Sequence, residues 1–428
     1  MKKSTKKKKP VLEPNDMNDI LPGDMPLWAK LERGAQNIAG FYNFSQIETP
    51  LLERIDLFER AKIENNEREA PRHFAVKCGD KSDRVLRTDL RVPVMRSYLL
   101  NGFTKLPQPQ RLFCLGPVFK EDPETARPVE FHELGFEIIG GSTDSIFDVQ
   151  IINLSYKYLE DLRIKNLIIK INSSGCMVCR PNFRKRLANY FKSADICKDC
   201  VQKAKNDPIH TLKCQDETCV EAKLDAPNIL DSLCNNCTKH FRGTLEFLEE
   251  IERPYMLDPS VIPSAEYYDK TIFEISAEEE EGESVVFASG GRYDYLSEAI
   301  AGPQTPAVGV TISLRRVFDH IKENSLLNIK LKNTVFLVYV GDLAKRKSLS
   351  LIEEFSRHNV PVVESLGRDS LMTQLEIATR AGSPLGLIFG QREAYEETVI
   401  VRDMKTGVQE TIPLKKIVEE VKKRLKNA

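Results

Sequence analysis

The chain has 428 residues, enough for two to four domains at about 100–200 residues each. Hydrophobic residues make up 41% and charged residues 29%, a globular balance that excludes wholesale disorder, and no apolar run reaches the roughly 18–20 residues of a membrane-spanning helix. Lys+Arg 62 against Asp+Glu 63 leaves a net charge of −1, so any nucleic-acid partner must be held by a local basic patch.

Residues 1–12 begin MKKSTKKKKP and form a basic, solvated tail. No apolar h-region follows, so this is not a secretory signal, and a cytoplasmic protein with no membrane partner is expected. After the turn formers of Asp16–Asp24, the periodic stretch Met25–Phe41 reads as a first helix. Strand-like runs follow at Ser45–Glu48, Arg84–Arg87, Arg111–Cys114 and Val129–Gly140, with helical patterns at Val94–Leu100 and Ser145–Leu162. Strands arriving in blocks without a regular βαβ rhythm predict an α+β domain on a mostly antiparallel sheet.

From about residue 172 to 248 the composition shifts to Cys pairs, Lys/Arg and helical patches, which marks an insertion. Strand signals return at Thr271–Ile275 and Val285–Ala288, then Gly290-Gly291 and a helical Tyr293–Ile300, and Thr305–Ile321 closes the unit as strand and helix. The acidic run Glu278–Glu281 reads as a hairpin tip, and Lys322–Lys332 as a polar linker. The organisation expected is therefore a core of 13–171 and 249–325, an insertion at 172–248, and a separate domain at 333–428. In that last domain strands (Val335–Val340, Val360–Glu364, Leu385–Phe389, Val399–Asp403, Gln409–Ile412) alternate with helices (Ala344–His358, Ser370–Gly382, Leu414–Leu425), a compact α/β pattern.

Eight of the ten cysteines fall in the insertion as Cys176/Cys179, Cys197/Cys200, Cys214/Cys219 and Cys234/Cys237. Disulfides are not expected in a reducing compartment, and each short loop presents two sulfurs to one side of a tetrahedron. One or two structural Zn2+ sites follow, their pairing open, with His210 and His240 as spare ligands. The basic residues Arg180, Arg184, Lys185 and Arg186 suit either phosphate contacts or a solvated helix face.

The most informative stretch is Arg111–Glu137, which reads as strand, charged loop, strand, with Phe119-Lys120-Glu121-Asp122 and Arg127 near the tip. It resembles motif 2 of the class II aminoacyl-tRNA synthetases, specifically the histidyl-tRNA synthetase family. Other segments agree in order. Glu48-Thr49-Pro50-Leu51-Leu52-Glu53 resembles the dimer-forming motif 1, and Leu86-Arg87-Thr88-Asp89-Leu90 the histidine-contacting loop. Glu266-Tyr267-Tyr268 with Thr271–Glu274, and Gly290–Asp294, resemble the two histidine signatures; Ala307–Arg316 resembles motif 3. Residues around Arg368–Leu371, Gln374 and Val401–Gln409 resemble the family's anticodon domain.

The resemblance implies a class II antiparallel sheet, ATP with Mg2+, histidine and tRNA as partners, and a homodimer. It places Glu137, Tyr268 and Tyr293 around the imidazole, where a carboxylate and phenol hydroxyls complement both ring nitrogens. Asp89 and Glu133 fall at positions that receive the ammonium, and Arg91 replaces a small hydroxyl residue there, free to pair with Glu133 or to obstruct the ammonium. On the ATP side it implies Lys120, Glu121, Arg127 and Arg316, with Lys120 and Arg316 as the catalytic cations. Lys120 stands for an arginine and lacks its bidentate fork. A third arginine position holds Pro263, for which Lys270 is the candidate substitute. Ser313 stands for a glycine of the adenine pocket and Arg315 for an acid. Two functions follow: a histidine--tRNA ligase, or a catalytically impaired paralogue that binds histidine, tRNA or both in a regulatory role.

Overall fold

A computed structural model describes residues 19–61, 74–78, 81–121, 128–205, 207–263, 265, 267–278, 284–324, 334–364, 370–380 and 382–426. The basic tail, Arg127, Glu266, most of the polar linker and most of the acidic hairpin tip lie outside these residues, as do the side chains of Glu121 and His210. The chain divides into two compact units, Met1–Leu327 and Asn328–Ala428.

The first unit is built on strands β1 (Ser45–Gln46), β5 (Gln110–Glu121), β6 (Pro128–Ile139), β7 (Leu167–Gly175), β8 (Tyr255–Leu257), β9 (Asp269–Glu278), β10 (Ser284–Arg292) and β11 (Ala307–Ser313). They form one sheet in the order β1-β5-β6-β11-β10-β9-β7-β8. The inner pairs are antiparallel, and only the edge pairs β1–β5 and β7–β8 run parallel. A smaller sheet joins β2 (Leu52–Arg54), β3 (Ala75–Cys78) and β4 (Lys81–Leu86). The antiparallel α+β expectation holds for this unit.

Strand periodicity sorts the two faces of the large sheet. On β6, Leu134, Phe136 and Ile138 pack under the helices Met25–Phe41 and Ile146–Asp161, with Val317 and Phe318 of the helix Leu314–Glu323. The alternate residues Glu133 and Glu137 therefore lie on the opposite face. That face is roofed by the helix Arg91–Leu100, whose Val92, Val94, Met95 and Tyr98 pack with Tyr268, Ile272 and Tyr293.

This helix starts three residues before the pattern suggested. Pro93 sits in its first turn, where a missing N–H costs no hydrogen bond, and the Asp89 carboxylate accepts from the Val92 N–H at 2.9 Å. The shift puts Arg91 at the first helical position, facing the sheet. Strand β7 is an addition to the expected elements; it follows the helix Ile146–Asp161 after a turn in which Arg163 and Asn166 take left-handed backbone conformations, and it runs into the start of the insertion.

The insertion folds as the helices Cys179–Phe191, Lys198–Lys203, Glu217–Leu224 and Asn235–Glu250, with Phe183, Leu187, Phe191, Ile196 and Leu212 as its own small core. Its last helix also gives Phe241 and Leu248 to the main core.

The second unit carries β12 (Val335–Val340), β13 (Val362–Glu364), β14 (Leu385–Gly390), β15 (Thr398–Asp403) and β16 (Gln409–Pro413) in the order β13-β12-β14-β15-β16, with three parallel strands and an antiparallel edge. The expected strands and helices are present, and a short helix Gln391–Glu396 is added. Gln374 is buried and braces Tyr339 through both backbone groups, donating to its carbonyl at 2.8 Å and accepting from its N–H at 3.1 Å. Arg368 and Asp369 lie outside the described residues.

Candidate active site

β6 delivers Glu133 and Glu137, β5 delivers Lys120, the start of the helix Arg91–Leu100 delivers Arg91, and the loops flanking β9 and β10 deliver Tyr268 and Tyr293. Glu137, Tyr268 and Tyr293 come together and are buried. The Tyr293 hydroxyl donates to Glu137 Oε2 at 2.5 Å. Gly309 is opposite Glu137 in the β6–β11 ladder and must be glycine, because a Cβ there would lie 1.6 Å from Glu137 Oε2. Burial pushes the Glu137 carboxyl up to about 7, against the pull of Arg91 and the Tyr293 hydrogen bond.

Arg91 departs from expectation. It pairs not with Glu133 but with Glu137, Nε to Oε2 at 3.4 Å, and it donates through Nη1 to the Tyr268 hydroxyl and through Nη2 to Thr311 Oγ1 at 3.3 Å. Its guanidinium carbon lies 5.3 Å from the Tyr268 ring centre and 5.1 Å from that of Tyr293, and its side chain is 2% exposed. Thr311 and Tyr267, which packs beside Tyr268 with ring centres 5.0 Å apart, join this site without having been singled out. The β11 alternation could have marked Thr311 as the polar residue on the face shared with Gly309.

Glu133 is taken by Lys120, Nζ to Oε1 at 2.5 Å, so the motif 2 cation is held by an acid at its own strand's neighbour. Asp89 is half-buried next to them and caps the helix. One oxygen each of Glu133 (Oε2) and Glu137 (Oε1) is buried without a hydrogen-bond partner among the described residues. Orphaned carboxylate oxygens in a buried site demand N–H donors.

Lys270 does not substitute for the missing arginine at Pro263. Its ammonium is committed to Asp294 at 2.7 Å and Asp269 at 3.4 Å. Arg316 is exposed and donates to the Val286 carbonyl at 3.1 Å, while Arg315 pairs with Asp319 at 2.9 Å. Ser313 caps the motif 3 helix, accepting from the Arg316 N–H at 3.4 Å.

The Gly290–Asp294 segment holds Tyr293 between two buried ions. Arg292 donates to both oxygens of Asp148 and reaches Asp294 Oδ1 at 3.2 Å; Asp294 Oδ1 also accepts from the Ala307 N–H at 2.9 Å. His240 is no metal ligand: its Nε2 lies 3.3 Å from Asp148 Oδ1. Asp148 is buried, yet Arg292 and His240 overcome that burial and hold it down at about 2.

The eight cysteines of the insertion form two clusters, Cys176/Cys179/Cys234/Cys237 and Cys197/Cys200/Cys214/Cys219, with all sulfurs of a set within 4.8 Å of one another. The first pair thus joins the fourth and the second joins the third. Sulfur separations of 3.6 and 3.9 Å in the first cluster and 3.9 Å in the second match the ~3.8 Å edge of a tetrahedron with ~2.3 Å metal–sulfur bonds. Backbone N–H groups of Cys234 and Cys197 donate to Cys179 and Cys219 sulfurs at 3.1 and 3.3 Å, as thiolates require. Arg186 bonds Ser232 at 2.8 Å, while Arg180 and Arg184 line a cavity of about 260 Å³ that Pro263, Lys223 and Ser174 also border.

A histidyl-tRNA synthetase family model matches residues 16–317, and an anticodon binding domain model matches residues 334–424. The histidine--tRNA ligase of Natranaerobius thermophilus is 32% identical over 96% of this chain and 98% of its own length. That of Thermosipho melanesiensis is 33% identical over 92% and 94%. The crystal structure of apo S. aureus histidyl-tRNA synthetase superposes with a TM-score of 0.79 at 27% identity, covering 96% of this chain and all of that one. With this architecture, this ordered set of motifs and these matches along nearly its whole length, the chain belongs to the histidyl-tRNA synthetase family.

Proposed function

We propose that the chain is a histidine--tRNA ligase, which activates histidine with ATP and transfers it to tRNA in the cytoplasm. The observation that carries this reading is the buried ring of Glu137, Tyr268 and Tyr293, with one Glu137 oxygen still without a partner among the described residues. An imidazole placed there gives an N–H to Glu137 and meets a phenol on its other edge. The ammonium goes to Asp89 and to Glu133, whose Oε2 has no partner among the described residues.

Activation requires the histidine carboxylate to attack the α-phosphate of ATP, forming histidyl-adenylate as the α–β phosphoanhydride bond breaks and pyrophosphate leaves. The protein's part is positioning, and meeting with cations the charge that spreads onto the phosphate oxygens. Lys120 and Arg316 take that role, with Glu121 and Arg127 on the ATP side. Lys120 must trade its Glu133 contact for the substrate's oxygens, which lowers its effect relative to an unpaired arginine fork. With Pro263 uncharged and Lys270 neutralised, one catalytic cation is missing, a loss of about a hundred- to a thousandfold in rate.

Each cysteine cluster suits one structural Zn2+: an ion at Cys176/Cys179/Cys234/Cys237 would fasten the end of strand β7 to the helix Asn235–Glu250, and one at Cys197/Cys200/Cys214/Cys219 would staple the helices Lys198–Lys203 and Glu217–Leu224 within the insertion. The insertion and the C-terminal unit supply the contacts to tRNA, and Glu48–Glu53 the contact of a homodimer.

Histidine-dependent ATP–pyrophosphate exchange by the purified chain tests the reading. Exchange above background supports it. Background exchange with histidine still bound points instead to the impaired paralogue.

A further inference from the structure

We infer that Arg91 is a built-in occupant of the amino-acid pocket, whose guanidinium holds the place of the substrate ring and must leave before histidine enters. The inference rests on the reading of Glu137, Tyr268 and Tyr293 as the ring-recognising set. All three are engaged by this one side chain: Glu137 Oε2 accepts its Nε, the Tyr268 hydroxyl accepts its Nη1, and the rings of Tyr268 and Tyr293 both lie under its charge.

A guanidinium is a good stand-in for an imidazole. It is planar, it presents N–H donors along its edges, and its charge suits an aromatic and carboxylate lining. Arg91 reaches the pocket from the roof, at the first position of its helix, and is as buried as the core around it. Ring and guanidinium cannot both use Glu137 Oε2 and the Tyr268 hydroxyl. Because Arg91 is tethered, it competes at a high effective concentration. Histidine then binds only the fraction of molecules in which Arg91 has swung out, and its apparent Kd rises by the inverse of that fraction. One Glu137 oxygen has no partner among the described residues with Arg91 in place, so the mimic fills the pocket without satisfying it.

The test compares full-length wild type with Arg91→Thr and Arg91→Lys, using calorimetric titration with L-histidine, the KM for histidine in pyrophosphate exchange, and thermal melting. The expected result is that Arg91→Thr binds histidine at least tenfold more tightly, with a KM lowered in step. Arg91→Lys, which keeps a charge but loses the planar fork, falls between the two. A purely structural role for Arg91 would lower the melting temperature and weaken histidine binding. That pattern, or unchanged binding in both folded variants, overturns the inference. Should Arg91→Thr fail to fold, Arg91→Lys decides alone: tighter binding supports the inference, and equal or weaker binding overturns it. Tightened binding with no exchange in any variant keeps the inference and removes the ligase reading. Active wild type with binding indifferent to residue 91 does the reverse.

Discussion

Replacing Asp148 with asparagine tests the frame that holds Tyr293. Asp148 is fully buried and accepts from Arg292 and His240, which tie together the helix Ile146–Asp161, the end of β10 and the last helix of the insertion. Removing one partner of a buried ion pair costs about 3–5 kcal/mol, because the other charge stays buried. Arg292 keeps Asp294 at 3.2 Å and the Asp144 carbonyl at 3.1 Å, which places the cost near the lower end, at about 3 kcal/mol. The lowered carboxyl pKa gives a second figure. A folded pKa of about 2 against an unfolded value near 4 is worth about 2–3 kcal/mol above pH 4. That stability is present above the unfolded value and disappears as pH falls through about 2. For a unit of some 327 residues, with an unfolding entropy of ~2.1 cal/mol/K per residue, 3 kcal/mol lowers the melting temperature by about 4–5 °C. Calorimetric melts of wild type and Asp148→Asn at pH 7 should show this drop, and the gap should close toward pH 2. A drop below 1 °C at pH 7, or a gap that does not depend on pH, refutes the reasoning.

Glu137 titrates in the opposite sense. Its folded value near 7 lies above the unfolded one, so the folded protein gains a proton and stability as pH falls from about 7 to about 4.5. Glu137→Gln should flatten that part of a melting-temperature profile; an unchanged slope counts against the buried carboxyl. Gly309→Ala drives a Cβ into Glu137, and about 1–3 kcal/mol of lost stability with loss of histidine binding in calorimetry is expected, whereas normal binding would show that Glu137 is not held as described. Lys120→Ala should lower histidine-dependent exchange by a hundredfold or more while Lys120→Arg retains or raises it, measured as kcat/KM; equal rates would remove Lys120 from the chemistry. Elemental analysis should find two zinc ions per chain and one after Cys200→Ser, and fewer than one in the native chain contradicts the paired clusters.

Much of the fold was legible because strand and helix periods are local properties. The α+β core, the helix Met25–Phe41 and the alternation of the last domain follow from apolar spacing alone. Strand β7 is hard to read because its alternation is short: Leu167, Ile169 and Ile171 are buried with Ile168 and Lys170 half-buried between them, and the buried but polar Asn172–Gly175 then breaks the pattern. At the site, the convergence of Glu137, Tyr268 and Tyr293 came from motif order, since they lie as many as 156 residues apart and no local rule connects them. The sequence showed that Arg91 was out of place without showing what it touches. That depended on Pro93 being tolerated in the first helical turn, which moved the helix start and turned Arg91 toward β6 and not toward solvent. Likewise the pairing of cysteines first-with-fourth and second-with-third is set by how four short helices pack, a non-local outcome that spacing leaves undetermined. Lys270 and His240 depart from their expected roles for one reason: each is committed to a buried carboxylate, Lys270 to Asp294 and His240 to Asp148.

The central claim is that this pocket reads histidine from behind its own arginine. Amino-acid-dependent ATP–pyrophosphate exchange, run with each of the twenty amino acids on wild type and on Arg91→Thr, tests it most directly. The account predicts exchange with histidine alone, at a KM that falls tenfold or more in the variant. Exchange driven by a different amino acid, or a KM for histidine that Arg91→Thr leaves unchanged, would contradict it.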